Sequence, residues 1–316
     1  MNNSKKRTLF SVLCTACLAS AVAQTDIDGI MMTKNNFCVG PVYSYSSWKN
    51  YWEGTLKRDN ENLGTVSTQQ FAVMGNYGIS DKLNVLFNVP YVKTKATDGT
   101  LHGLKGFQDL SLFVKYMPVE KKIGKSDISL YAIGGVSTPL TNYTPDFLPM
   151  SIGLASTNVM LRAMADYQRG KFFTTISGTY IWRSNVKIDR DSYYDTELHL
   201  SNEVEMPNVA TFNFRAGYRS QSLIAEAVVN NMTTLGGFDI TKNNMPFPSN
   251  KMNATMVGVN FKYVVIAFPE LSVIAGANTT VAGRNVGQST GFYGGLFYVF
   301  DLGRKSKSTP QTSQSK

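Results

Sequence analysis

Charge is scarce in this 316-residue sequence: Asp, Glu, Lys and Arg make up 17%, against about 25% in ordinary soluble domains. Cysteine is scarcer, three in all, and Cys14 and Cys17 lie within the first 23 residues. That leaves Cys38 alone, so a disulfide scaffold is excluded. Histidine occurs twice, as His102 and His199, without metal-ligand spacing, and no metal or cofactor is expected. Phosphate-cradling loops and dinucleotide fingerprints are missing too. After residue 23 no apolar run approaches the ~18 residues of a membrane-spanning helix. What is abundant is apolar and aromatic: 43% hydrophobic residues, with 16 Tyr and 18 Phe. Such a chain is too apolar for disorder.

The first 23 residues read as an address. Lys5, Lys6 and Arg7 precede an apolar stretch from Leu9 to Ser20, and Ala21-Val22-Ala23 is a small-residue exit. This is the pattern of a secretory signal peptide, 1–23. The pair Cys14 and Cys17 then leaves with it rather than forming a redox or metal site. Formal net charge is +9, but three cations belong to the signal and four, Arg304, Lys305, Lys307 and Lys316, to a Ser/Thr/Gln-rich tail over 304–316, which is expected to be disordered. Residues 24–303 hold 24 basic groups against 22 acidic ones. No nucleic-acid face is implied.

Residues 24–303 are a string of segments with period two. In 83–91 the odd positions Leu83, Val85, Phe87, Val89 and Tyr91 are apolar; in 110–116 it is the even ones. Twelve strands are expected, near 37–48, 67–79, 83–93, 107–117, 127–138, 154–167, 171–184, 208–219, 222–233, 252–266, 271–282 and 291–302. Each approaches the ~9–11 residues a tilted strand needs to cross a bilayer. Links after even-numbered strands are short, save one around 118–126. Those after odd-numbered strands are mostly long and polar. That sorting predicts an all-β fold: one closed antiparallel transmembrane barrel over 24–303, with short periplasmic turns and long extracellular loops.

Two further regularities agree. Tyr77, Tyr116, Tyr167, Tyr218, Tyr263 and Phe300 recur near the ends of successive even-numbered strands, where an aromatic girdle meets the periplasmic interface. Charge also sorts by phase. From the second to the twelfth strand the lipid-facing sets lack Asp, Glu, Lys and Arg apart from Lys93 at the end of the third, whereas Asp109, Lys115, Arg162, Asp166, Arg183, Arg215, Arg219, Glu226 and Lys262 fall on the opposite phase and are expected to line the lumen. A polar interior within an apolar exterior inverts the soluble pattern.

The last strand carries Gly295, Tyr298 and Phe300, which resembles the C-terminal signal read by the barrel-assembly machinery, although here the tail follows. Further in, Tyr77-Gly78-Ile79-Ser80-Asp81-Lys82-Leu83, Asn88-Val89-Pro90-Tyr91 and Gly106-Phe107-Gln108-Asp109-Leu110 with Lys115-Tyr116 resemble a family of outer-membrane transporters named for phenol meta-pathway degradation, and more distantly fatty-acid channels. The likeness covers about 70–120. It implies a diffusion channel for small, hydrophobic or aromatic molecules in the outer membrane of a Gram-negative bacterium.

Catalysis is not expected. His199-Leu200-Ser201-Asn202 begins like the Ser–His–Asn arrangement of outer-membrane phospholipases, but Glu203-Val204-Glu205 replaces the Gly-Arg that follows there. Asp189, Asp191 and Asp195 lack the glycine and terminal glutamate of a calcium loop. The expected function is therefore a passive channel for a small-molecule solute, embedded in outer-membrane lipid. A non-conducting barrel that serves as platform for an envelope complex is the alternative.

Overall fold

The structure, a computed structural model, describes residues 25–241 and 244–303. The signal segment 1–23 and the tail 304–316 lie outside the described residues. Twelve antiparallel strands form the wall: β1 (Asn36–Trp48), β2 (Val66–Ser80), β3 (Leu83–Ala96), β4 (Asp109–Ile123), β5 (Ser126–Pro139), β6 (Asn158–Arg169), β7 (Phe172–Arg183), β8 (Val209–Arg219), β9 (Leu223–Thr234), β10 (Asn253–Val264), β11 (Leu271–Arg284) and β12 (Thr290–Asp301). Each pairs with its sequence neighbours. The ring closes because β1 pairs with both β2 and β12, through Phe37↔Tyr77 and Phe37↔Phe300. With no open edge, every interior strand ladder is satisfied within the wall, as a hydrocarbon surrounding demands.

Turns and loops sort as expected. Asp81-Lys82, Gly124-Lys125 and Gly170-Lys171 are two-residue turns, and Gly124 and Gly170 sit at φ near +60°, a left-handed conformation that favours glycine. The opposite rim carries the long loops, stiffened by small hairpins such as Asn50–Glu53 with Leu56–Asp59. The expected long link over 118–126 is corrected: β4 and β5 run on to Lys122↔Asp127 and Ile123↔Ser126. A register shift between Tyr116 and Val119 absorbs Pro118, which has no N–H for the ladder and so belongs at a bulge. The sixth strand starts at Asn158 rather than 154, the preceding residues belonging to the loop.

Alternation decides which face is wet. Leu112, Val114, Tyr116, Val257, Val259 and Phe261 point outward and are exposed, while their neighbours Lys115 and Lys262 are buried. Inside, two apolar clusters stand apart: Met32, Cys38, Val42, Phe297 and Val299 on one side, and Met117, Tyr131, Ile133, Met160 and Met164 on the other. Methionine fills irregular space and yields to new shapes, a useful property in a lumen.

Candidate functional site

The interior is organised around a segment that precedes β1. Asp28 folds it: the carboxylate accepts from Thr25 N (2.6 Å), Thr25 Oγ1 (3.1 Å) and Ile30 N (3.2 Å). This turn aims its carbonyls at Lys115, whose Nζ donates to Thr25 O (3.0 Å), Asp28 O (2.6 Å), Asp28 Oδ1 (3.1 Å) and Ile30 O (2.8 Å). Lys115 is fully buried. A lysine without solvent is tolerable only when its proton donors are met and its charge is balanced, and this cage does both. Arg162 donates from Nη1 to Asp26 O (2.9 Å) and Asp26 Oδ2 (2.6 Å), and Tyr131 donates its hydroxyl to Gly29 O (2.9 Å). Gly29 lies so close to the wall that a Cβ there would stand 2.1 Å from Asp166 Oδ1. The amide of Asn84 accepts from Met32 N (2.6 Å) and donates to Met32 O (3.1 Å). Residues Thr25 to Thr33 thus form a plug pinned to the β3–β6 wall.

The remaining inward charges surround it. Asp166 receives Thr175 Oγ1 and a two-pronged contact from Arg219 (2.8 and 3.0 Å), whose guanidinium lies 3.9 Å from the Phe173 ring centre. Arg215 Nη1 meets Glu226 Oε1 at 2.8 Å; Asn260 donates to the same oxygen at 2.7 Å, and the Tyr293 hydroxyl donates to Asn260 Oδ1 at 2.8 Å. Lys262 is buried beside this chain. Asp109 sits apart near the loop rim, accepting from the Tyr143 hydroxyl at 2.6 Å. Burial and that carboxylate hold the Tyr143 hydroxyl well above its ordinary value. Arg183 is likewise apart, at the end of β7, where its backbone N–H donates to Asn208 Oδ1 at 3.1 Å. Of the nine residues expected inside, the structure therefore gathers seven.

Space remains beside the plug. A cavity of about 300 Å³ lies between Thr25, Ile27, Asp28 and Ile30 and the wall from β8 round to β12, β1 and β2. A vestibule of about 670 Å³ opens at the turn rim, and Ile30, Arg219, Ile224 and Lys262 border both. A third space of about 440 Å³ lies on the plug's other side, against Met117 and Glu120.

The expected girdle residues occupy outward rows near the turns. Tyr116, Tyr167, Tyr218, Tyr263 and Phe300 are exposed; Tyr77, in register with Phe37 and Val85, is half-buried. Tyr298 and Phe300 also point outward with ring centres 4.7 Å apart, while Gly295 faces in against Val42 and Ile274. The His199 imidazole contacts Asp195 (3.0 Å) and stacks on Tyr193, whereas Ser201 bonds to the backbone of Glu203. The phospholipase-like pairing is therefore not formed. Asp189, Asp191 and Asp195 do not converge either: among the described residues no three His, Cys, Asp or Glu side chains are grouped to hold an ion.

Sequence reasoning missed the plug, although a signal for it existed. The nine inward residues comprise six cations and three acids, and such an excess in a buried space calls for carboxylates from elsewhere. Asp26 and Asp28 supply two.

A closed twelve-strand ring with an apolar outer face and a charged interior is the fold of outer-membrane β-barrels. The chain is similar to the crystal structure of the COG4313 outer membrane channel from Pseudomonas putida F1, with a TM-score of 0.70 and 15% identity over 88% of this chain and 100% of that one. It also matches the transport unit of the autotransporter AIDA-I from Escherichia coli, with a TM-score of 0.46 and 12% identity over 90% and 95% of the two chains. The translocator domain of autotransporter NalP from Neisseria meningitidis follows at 0.45 and 10% identity, over 87% and 91%. No protein-family model and no curated protein sequence matches.

Proposed function

We propose that this protein is an outer-membrane channel for passive uptake of small solutes with apolar or aromatic bodies, which pass beside the N-terminal plug. The observation that carries this is the pair of cavities sharing Ile30, Arg219, Ile224 and Lys262 as a common border. Methionine and isoleucine flank the passage, which suits apolar solutes better than strongly hydrated ones. The likeness of residues 70–120 to the phenol meta-pathway transporters supports the same solute class. In this reading export uses the 1–23 signal, insertion uses Gly295, Tyr298 and Phe300 as the mark for the barrel-assembly machinery, and the aromatic row anchors the barrel at the periplasmic interface.

Planar-bilayer recording tests the channel. The parent should give small, steady conductance steps, and deletion of Thr25–Thr33 should enlarge them severalfold and favour anions, since wall cations then outnumber wall acids. The plug also suits the alternative, a closed barrel acting as an assembly platform. No conductance from the parent, in preparations that shift mobility on heating as folded barrels do, would decide for that alternative.

A further inference from the structure

The turn rim is uneven in a way that solute passage does not require. Strands β4 and β5 run on past the 81–82 turn, so Val119 to Ile123 pair with β5 beyond Leu83, where β3 begins. Past the bulge, Val119, Lys121 and Ile123 stand opposite Leu130, Ile128 and Ser126. Ile128 and Ser126 stand in turn opposite Tyr167 and Arg169 of β6. Residues directly opposite share a face of the sheet, and Leu130 and Tyr167 are exposed on the lipid-facing side. Lys121 and Arg169 therefore point outward, while Glu120 and Asp127 border the interior space against the plug.

Lys121 and Arg169 flank two hydroxyls, Ser126 Oγ and Tyr167 Oη, which are 3.0 Å apart. Lys125 in the turn of the same hairpin and Lys171 in the next turn add positive charge, and Lys171 Nζ lies 5.5 Å from the Tyr218 ring centre. Among the described residues none of these four cations forms an ion pair. The rest of the rim is different. Turns 220–222 and 265–270 contain no Lys or Arg, the second exposing Ile266 and Phe268 instead, and Lys82 shares its turn with Asp81. Away from the turn the same outer face becomes apolar, with Val119 opposite Leu130, Leu130 opposite Ala165 and Ala132 opposite Ala163.

We propose that this sector of the rim holds an anionic phospholipid of the periplasmic leaflet, its phosphate between Lys121 and Arg169 and its acyl chains along Leu130, Ala132 and Ala163. Basic side chains at a membrane surface attract anionic headgroups, and their long stems lie on apolar wall while the charge reaches the interface. One hydroxyl of the Ser126–Tyr167 pair donates to the other, which leaves one O–H for a phosphate oxygen. Four cations without a carboxylate partner favour a headgroup of net negative charge over a zwitterionic one. The site needs a barrel seated in lipid; it does not need a barrel that conducts.

The test is native mass spectrometry of the folded, full-length mature barrel in mild detergent, titrated with phosphatidylglycerol or phosphatidylethanolamine of identical acyl chains. Phosphatidylglycerol should bind about thirtyfold tighter, since each of two basic contacts confers about fivefold. Lys121→Gln combined with Arg169→Gln should bring the two lipids to within about twofold of each other. Lys34→Gln combined with Lys82→Gln removes as much charge from another part of the rim and should leave the gap in place. Heat-shifted gel mobility checks that every variant is folded. Equal binding of the two lipids by the parent would overturn the lipid site and turn the patch over to a protein partner. An undiminished gap in the folded Lys121→Gln, Arg169→Gln barrel would overturn it too, as would an equal loss in both double variants, which would make net charge the whole cause.

Discussion

At the scale of single residues, Lys115 does most to shape the interior. Its ammonium is the hub on which three plug carbonyls and Asp28 converge. Truncating one member of a buried pair leaves the other charge stranded, at about 3–5 kcal/mol. Lys115→Met should therefore release the plug while leaving the wall ladders intact. An added thiol at Ile30→Cys reports it: a water-soluble maleimide should label it slowly with Lys115 in place and much faster in Lys115→Met. Equal labelling rates would show that the plug is held by something else. Alternation in the sequence put Lys115, Arg162 and Asp166 on the inner phase, since β side chains alternate strictly. It could not say that they meet a segment some 85 to 140 residues away, because pairing across a lumen leaves no local period. Arg183 marks the other limit: it shares the inner phase, but its height near the loop rim keeps it from the cluster.

At the scale of elements, the loops are tied as carefully as the plug. Asn285, buried and at φ +53°, links three of them. Its Oδ1 accepts from Gly54 N (2.7 Å) and Ile240 N (3.1 Å), and its Nδ2 donates to Asp239 Oδ1 (2.7 Å) and Lys251 O (2.8 Å). Asparagine tolerates this left-handed conformation better than most residues. The hydrogen bond from Arg284, then that from Asn285, outweighs burial and holds the Asp239 carboxyl at about 2. A depressed carboxyl value stabilises the folded loops fully above the ordinary 3.8 and loses that contribution as pH falls through about 2. Hydrogen exchange at Ile240 N, corrected for intrinsic rate, should thus be level from pH 8 to about pH 4 and quicken toward pH 2. Asn285→Ala should raise it at every pH by about tenfold or more. A level profile down to pH 2 would remove Asp239 from the account. Strand positions were legible because each carries its own period; the end of β4 was not, because Pro118 reads as a stop when a bulge receives it.

At the scale of the whole molecule, the low charge content of the sequence becomes geometry: one face of nearly every strand is apolar and exposed. Val259, midway along β10, is on that face. Val259→Arg should cost about 2–4 kcal/mol in a bilayer, measured by urea unfolding in lipid vesicles, while Val259→Leu should be near neutral. Comparable loss from both would place Val259 in a packed contact instead of lipid. Ring closure was legible from the even strand count and from the sorting of loop lengths. The filling of the ring was not, since period two describes walls and says nothing of contents.

Closure itself has a kinetic side. The ladder joining β1 to β12 unites the two ends of the described barrel, with Asn36 opposite Asp301, and such non-local contacts carry the greatest loop-closure cost and form late. The plug is the stretch of chain immediately ahead of β1. The segment that fills the lumen therefore hangs directly from the strand that completes the seam, so the plug and the closure of the wall share one stretch of chain.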